Sequence, residues 1–513
     1  MSDGDQTLNF DEFDECHNPP PVETDFDAVS ERFLSRRRFL TGAAALGSLP
    51  FLVGVGVGLP RTADARGWLA FDPIPANTAD TVTIPKGFSW HVVVSWGDPL
   101  WSDAEAFNPS TRGTGNSQER AFGDNNDGMS LFTDEDHILL TVNNEYVNRR
   151  VFFGNRASRL PEDDDDVRKG KAAHGVSVLQ IAKTNGKWGA VKDSRYNRRI
   201  TADTPMEITG PARGTDALKT AADPTGTTSF GTWNNCANGK TPWGTYLACE
   251  ENFNGYFSSS DPNYEPSAEM KRYGVTQRDV GYAWARTDER FDISKHPNEC
   301  NRAGYVVEID PFEPFSTPKK RTALGRFKHE NAEVVVADHG HVVVYLGDDE
   351  RGEFLYKFVS KKKYHPDGDN ADLLEDGDLY VAKFLDSGRG EWLALTTDTT
   401  GMSRADICTH TRLAGSKVGA TTMDRPEWVA SHPDKAEVYC SLTNNKHRGR
   451  KPNQGGDATP AGGPNPRVRN KYGQIVRWVP DRGDHTAIGF AWNLFVVAGN
   501  PMVHQDARAG TGN

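Results

Sequence analysis

The chain has 513 residues, of which 36% are hydrophobic and 25% are charged, and its net charge is −12. The charged fraction is near the globular average, which argues against a disordered chain. The acidic balance argues against a protein that binds the phosphate backbone of nucleic acids. The 50 glycines and 30 prolines indicate many turns and therefore many short strands. This length accommodates several ordinary domains or one large β architecture.

The N-terminal segment has the three parts of an export signal. Residues 35–40 carry consecutive arginines, small and apolar residues follow at 41–60, and residues 63–65 offer a small-residue cleavage site. Paired arginines are typical of the twin-arginine pathway. A transmembrane anchor is the alternative, but glycines and prolines interrupt the apolar stretch. We therefore predict that residues 1–65 are an acidic leader and signal peptide, and that no stable membrane span remains after cleavage.

From residue 66 onward the hydrophobic pattern predicts an all-β protein. Short apolar runs bounded by turn-forming residues are typical of strands. Helical periodicity is scarce, with room for a few turns at 319–328 and 371–375. The acidic run 162–166 and the Gly/Pro-rich stretch 451–466 are predicted to be solvated loops. We predict strands at residues 91–96, 138–142, 176–181, 245–249, 304–309, 341–346, 353–359, 379–384, 437–442, 474–479 and 494–497.

A weak internal repeat joins four pairs of polar clusters along the chain. In each pair the first cluster precedes a strand and the second cluster follows the next strand. The pairs run from Asn126 to Asn144, from Cys236 to Glu251, from Glu330 to Asp349 and from Glu427 to Asn445. Because each separation fits two strands and a turn, both clusters of a pair are predicted at one edge of a sheet. Radial repetition of such units is typical of a β-propeller.

The convergence of these strand ends predicts a metal site. Repulsion between clustered carboxylates disfavours their ionised forms unless cations neutralise them. Carboxylate oxygens suit Ca²⁺ or Mg²⁺, whereas the thiolate of Cys236 requires a softer metal such as iron or zinc. Arg425 adds a fork-shaped cation suited to an oxyanion such as phosphate. The carboxylates expected at this edge are Glu145, Glu250 or Glu251, Glu330, Asp348 or Asp349, and Glu427.

Several motifs together resemble the PhoX family of secreted alkaline phosphatases. They are the signal at 35–40 and the stretches 231–239 (GTWNNCANG), 249–252 (CEEN), 328–332 (KHENA), 345–350 (YLGDDE) and 424–428 (DRPEW). The resemblance implies a six-bladed β-propeller over residues 66–513, with two Fe³⁺ and three Ca²⁺ ions around a bridging oxo group. It also implies an enzyme of the periplasm or of the medium.

The resemblance also implies roles for individual residues. Arg425 resembles the arginine that contacts phosphate, and Glu145 lies in a motif similar to one of the family's. The implied reaction releases inorganic phosphate from phosphomonoesters, with a metal-bridging oxo or hydroxo group as nucleophile. Expected partners are a small phosphomonoester and the twin-arginine export machinery, with no nucleic acid, and we expect a monomer. The implied metal ligands are Cys236, Glu251, Glu330, Asp349 and Glu427, together with Glu145.

Two other functions remain open at this point. A calcium-dependent propeller esterase or lactonase also uses a ring of Asp, Asn and Glu side chains, but calcium alone has no use for the Cys236 thiolate. A non-catalytic propeller that binds sugars or proteins would contain structural calcium and no iron.

The end of the chain is expected to leave the propeller incomplete. Members of the family continue beyond the position of Asn513, so the chain appears short by about one blade. A propeller depends on closure between its first and last blades, because an open ring exposes sheet edges. We therefore predict that the chain is truncated and that residues 66–513 lack the C-terminal blade; the alternative is that these residues close a smaller or distorted ring.

Overall fold

The computed structural model describes residue 71, residues 74–75 and residues 77–499. The predicted signal at 1–65 and the last residues of the chain lie outside this part. Within it, no helix is both long enough and apolar enough to cross a membrane. The chain divides into two compact units, and every helix and strand given below belongs to the unit that contains residues 93–497.

The described chain consists mainly of β-strands, which confirms the predicted fold class. The strands are β1 (Asn126–Thr133), β2 (Ile138–Asn144), β3 (Gly175–Thr184), β4 (Lys187–Ala190), β5 (Arg198–Ile200), β6 (Pro205–Thr209), β7 (Thr228–Phe230), β8 (Asn235–Lys240), β9 (Tyr246–Glu250), β10 (Val306–Ile309), β11 (Lys319–Arg321), β12 (His329–Val336), β13 (His341–Asp348), β14 (Leu355–Lys363), β15 (Gly377–Phe384), β16 (Arg389–Ala394), β17 (Pro426–Ser431), β18 (Val438–Leu442), β19 (Gln474–Pro480) and β20 (Gly489–Val497).

The helices are short. The α-helices are α1 (Gly115–Gln118), α2 (Arg149–Phe152), α3 (Asp164–Ala173), α4 (Ala268–Arg272), α5 (Thr397–Thr400), α6 (Arg404–Thr409) and α7 (Thr411–Lys417). Single 3₁₀ turns occupy Asp216–Leu218, Phe253–Tyr256, Trp284–Arg286, Glu289–Phe291, Glu299–Arg302, Thr322–Leu324 and Asp481–Gly483.

Three local predictions were wrong, each for a physical reason. Residues 91–96 form no strand, because Val93 and Val94 pack on an apolar cluster without a partner strand. Residues 319–328 form β11 and a 3₁₀ turn, since β11 pairs with β10 and β6. The turns at residues 371–375, by contrast, agree with the few turns that the sequence allows there. The acidic run 162–166 enters α3, because the Asp163 side chain accepts a hydrogen bond from the Asp166 amide and acidic residues stabilise a helix N-terminus.

The strands form three sheets. The first has the order β1-β2-β3-β4 with β5 on β3, and the second has the order β7-β6-β11-β10-β9-β8. The third joins two meanders in the order β12-β13-β14-β15-β16-β20-β19-β18-β17. Pairing is antiparallel throughout the described ladders except between β6 and β11. The all-β class is thus confirmed, and the number of propeller blades stays a prediction.

Strands β1, β8, β12 and β17 lie side by side although they belong to three sheets. Their backbones approach so closely that glycine is required at the contacts. A Cβ atom on Gly239 of β8 would lie 2.1 Å from the carbonyl oxygen of Ala332 in β12. A Cβ atom on Gly128 of β1 would lie 2.6 Å from the carbonyl carbon of Ala237. The first strands of the four predicted repeats therefore meet in one place.

Candidate metal centre

The four predicted pairs of polar clusters are four antiparallel hairpins with the same irregularity. The hairpins are β1–β2, β8–β9, β12–β13 and β17–β18, and each contains a bulge at the start of its first strand. Two residues of the first strand face one residue of the second at this bulge, and such bulges redirect side chains. The first bulge residues of the four hairpins are Asp127, Cys236, Glu330 and Glu427.

An equivalent backbone hydrogen bond closes each of the four hairpins. In each hairpin, the amide N–H of the residue after the second strand donates to the carbonyl oxygen of the residue two positions before the first bulge residue. The bonds run from Glu145 to Asn125 (2.9 Å), from Glu251 to Asn234 (2.8 Å), from Asp349 to Lys328 (3.0 Å) and from Thr443 to Arg425 (3.4 Å). Each hairpin therefore places its bulge residue and the residue after its second strand at the same edge.

The side chains at this edge converge on the Cys236 thiol. Ligand atoms of Asp127, Glu145 and Cys236 all lie within 4.8 Å of one another, and so do those of Cys236, Glu251 and Glu330. The Cys236 Sγ is 3.4 Å from Oδ2 of Asp127. The structure thus brings together four of the six predicted metal ligands, with Glu145, Glu251 and Glu330 around the sulfur atom of Cys236.

Asp127 is the residue of this cluster that sequence reasoning missed. It stands next to Asn126, which marks the first polar cluster of the repeat, but it was not singled out as a ligand. Its bulge position is the same as that of Cys236, Glu330 and Glu427. Alignment of the four repeats at that position would have identified it.

Asp349 and Glu427 adjoin the cluster through Arg425. The Arg425 guanidinium donates from Nε to Oδ1 of Asp349 at 2.8 Å and from Nη2 to Oδ2 at 2.6 Å. The same Nη2 lies 3.5 Å from Oε1 of Glu427. Arg425 has a φ of 56°, a left-handed conformation that is strained for a non-glycine residue. In this structure the predicted phosphate-contacting arginine is therefore held by two predicted metal ligands.

The electrostatics of the cluster favour a bound cation. Burial, followed by the charges of Asp349, Glu427 and Asp127, raises the pKa of Glu330 well above its usual range. Burial, followed by the surrounding carboxylates, likewise raises the pKa of the Cys236 thiol. Positive charge would reverse both shifts by stabilising the ionised forms. The donor set of several carboxylates and one thiolate fits hard cations together with a softer transition metal.

Further cations lie beside Arg425. Burial, followed by the charges of Arg351 and Arg425, lowers the pKa of Lys446. Burial, followed by Arg351 and Lys446, also lowers the pKa of His447. Arg351 pairs through its backbone with Asp424, the residue before Arg425. An anionic group that approaches the cluster from this side meets several positive charges.

Comparison with known proteins establishes the family. The sequence model described as alkaline phosphatase PhoX matches residues 69–513. The chain belongs to the PhoX family. It is accordingly a hydrolase of phosphoric monoesters, and PhoX enzymes are metalloenzymes. The resemblance inferred from the sequence motifs is confirmed, and the esterase and binding-protein alternatives are not favoured.

A solved PhoX structure is similar over most of the chain. It is described as Pseudomonas fluorescens PhoX in complex with vanadate, a transition state analogue, and its sequence is 50% identical. The similarity has a TM-score of 0.81 and covers 86% of this chain and 78% of that chain. A search of curated proteins found no match.

Proposed function

We propose that this PhoX enzyme is an exported phosphatase whose central site holds Ca²⁺ and Fe³⁺. The observation that carries the proposal is the position of the Cys236 sulfur between two sets of carboxylates. A thiolate is a suitable ligand for iron, whereas the oxygen-only neighbours suit calcium. The proposed ligands are Cys236, Glu145, Glu251, Glu330, Asp349 and Glu427, as the sequence implies, with Asp127 in addition.

The chemistry divides between the metal ions and the side chains. When bound, the ions polarise phosphoryl oxygens and supply the activated oxygen nucleophile. The chain itself binds and orients the substrate. Arg425 carries the planar fork of N–H groups that matches two oxygens of a phosphoryl group. Asp349 accepts hydrogen bonds from the Nε and Nη2 groups of Arg425, and this contact fixes the orientation of the guanidinium before substrate arrives.

The charges around Arg425 favour a dianionic substrate. Lys446 and Arg351 add to the positive potential beside the cluster, and such a potential raises the local concentration of anions. Preorganised donors directed at the developing charge account for much of the rate enhancement in phosphoryl transfer. This arrangement requires no protein nucleophile. We therefore propose that every residue named here binds a metal ion, orients the substrate or stabilises the charge that develops during phosphoryl transfer.

The cellular context follows from the N-terminal sequence. The twin-arginine pattern at 35–40 supports export through the twin-arginine machinery to the periplasm or the medium. That pathway transports folded proteins, which is compatible with metals inserted before export. We propose a monomer that acts on small phosphomonoesters.

Hydrolysis assays with matched esters test this proposal. The purified enzyme should hydrolyse p-nitrophenyl phosphate, and activity should disappear with a calcium chelator and return with added Ca²⁺. Bis(p-nitrophenyl) phosphate and p-nitrophenyl acetate should be much poorer substrates. Full activity after exhaustive removal of metals, or a preference for the acetate ester, would contradict the proposal.

A further inference from the structure

A buried carboxylate that is paired with a buried cation adjoins two of the proposed metal ligands, Cys236 and Glu251. Glu250 precedes Glu251, and its Oε1 accepts a hydrogen bond from Lys320 Nζ at 2.7 Å. Both side chains have no exposed surface. Successive residues of an extended chain point to opposite sides. Glu250 therefore faces the interior of its sheet while Glu251 joins the Cys236 cluster.

The Lys320–Glu250 pair fastens the end of β9 to the segment that leads into β10. Oε2 of Glu250 accepts from the amides of Gly304 (2.8 Å) and Tyr305 (3.1 Å). Lys320 Nζ donates in addition to the carbonyl oxygen of Arg302 at 2.8 Å. All these groups are within the protein interior, where water does not compete for their hydrogen bonds.

Glu250 is also coupled to the position of the thiol. It is the register partner of Asn235, the residue immediately before Cys236. One carboxylate thus neighbours the two chain segments that supply Cys236 and Glu251. A displacement of Glu250 would move the thiol and Glu251 together.

The β12–β13 hairpin has the same arrangement. Asp348 precedes Asp349 and is the register partner of His329, which precedes Glu330. Arg412 of α7 donates to both carboxylate oxygens of Asp348, at 2.8 Å and 2.6 Å. Neither side chain of this pair is exposed. The Lys328 amide donates to the same carboxylate at 3.3 Å, so Asp348 connects both strands of its hairpin.

The other two hairpins use variants of this device. In the first hairpin the neutral Asn144 occupies the equivalent position, and its Oδ1 accepts from Arg199 at 2.7 Å. In the fourth hairpin an apolar residue occupies that position, and the buried acid is Asp424, which accepts from Arg448 Nε at 2.5 Å. A cation therefore contacts the polar side chain at the end of the second strand in three hairpins, and in the fourth it contacts Asp424, which precedes the first strand.

We infer that Lys320 and Arg412 are positioning residues of the metal centre. Each neutralises a carboxylate that stands one residue from a metal ligand and holds it on the side away from the metals. Without its cation, that carboxylate would be an unpaired buried charge attracted towards the bound metals, in competition with Glu251 or Asp349. This inference rests on the proposed metal-dependent function. Groups that hold metal ligands in place typically change metal affinity 10–100-fold when removed.

The variant Lys320→Met tests the inference. Its matched control is Lys357→Met, since Lys357 is also a buried lysine but donates to the backbone carbonyl of Ala487 at 2.7 Å and forms no ion pair with a carboxylate among the described residues. Both variants lose the amino group of one buried lysine. Folded monomer of each would be isolated, and the iron and calcium per chain and the resistance to chelation would be measured alongside the wild type.

We expect Lys320→Met to bind metal 10–100-fold more weakly, while Lys357→Met keeps the wild-type metal content. The double variant Glu250→Gln/Lys320→Met removes the unpaired charge and keeps an oxygen acceptor for the Gly304 and Tyr305 amides. It should recover most of the lost affinity, which a purely structural role of Lys320 would not produce.

Two results would overturn the inference: wild-type metal affinity in Lys320→Met, or an equal loss in both lysine variants. If Lys320→Met does not fold, Arg412→Lys tests whether the contacts of Arg412 position Asp348, without the loss of a charge. It keeps the charge but loses the two-point contact with Asp348, so metal affinity should again fall, and an unchanged affinity would overturn the inference. Absence of metal from active wild-type enzyme would contradict the proposed function itself.

Discussion

Substitution of Arg425 by Ala separates substrate binding from metal binding within one strand end. The guanidinium makes two hydrogen bonds of 2.8 and 2.6 Å to Asp349 and is almost fully buried. The φ of 56° at this position is equally unfavourable for Arg, Lys and Ala, so the backbone strain is the same in each variant. The variant therefore reports on the side chain and not on the turn.

The expected effect is on turnover. Loss of one donor directed at a developing oxyanion typically lowers kcat about 10²–10³-fold, equivalent to about 2.7–4 kcal/mol. Asp349 loses its guanidinium partner, but bound cations would still neutralise it. We therefore predict that Arg425→Ala retains its iron and calcium while kcat for p-nitrophenyl phosphate falls by that factor. Arg425→Lys should be intermediate, because it keeps the charge and loses the fork.

The adjacent variant Glu427→Ala is the control for this reasoning. It removes a proposed metal ligand two residues away and should lower metal occupancy. Steady-state kinetics and elemental analysis on the same preparations provide both readouts. Near-wild-type kcat in Arg425→Ala, or metal loss in Arg425→Ala equal to that in Glu427→Ala, would refute the assigned role of the arginine.

Three further predictions concern the thiol, the additional carboxylate and export. Cys236→Ser should lose both activity and a visible thiolate-to-iron absorption band, because serine is a poor replacement for a thiolate ligand; a colourless but fully active wild type would contradict this. Asp127→Asn should lower metal content and activity, whereas Asp134→Asn, a change at an exposed aspartate that binds His137, should alter neither. Replacement of the arginines at positions 36 and 37 by lysine should leave uncut precursor in the cytoplasm on fractionation, and normal export would refute the twin-arginine assignment.

The fold class and most strands could be predicted from the sequence because hydrophobic runs and turn residues act locally. The errors arose where distant contacts decide the structure. Lys320 lies in a stretch with helical spacing, but its backbone pairs with β10 and its ammonium group with Glu250. The acidic run at 162–166 has the composition of a loop, yet Asp163 begins a helix as its N-cap.

The candidate site was predicted in outline for a similar reason. Spacing within each repeat indicated hairpins with polar ends, and the hairpins were found where expected. The bulge could not be inferred from one repeat, because Asp127 reads as an ordinary turn residue until it is aligned with Cys236 and Glu330. The choice between Glu250 and Glu251 likewise depended on Lys320, which is distant in sequence.

Elemental analysis of the purified, active protein decides whether the Cys236 cluster is a centre of iron and calcium. A thiol surrounded by carboxylates, as at Cys236, can support phosphate ester hydrolysis only if metal ions neutralise these groups and fix their positions. We predict iron and calcium together in fixed ratio to the chain, with phosphatase activity proportional to their content across partly depleted samples. Fully active protein that contains neither iron nor calcium would contradict it.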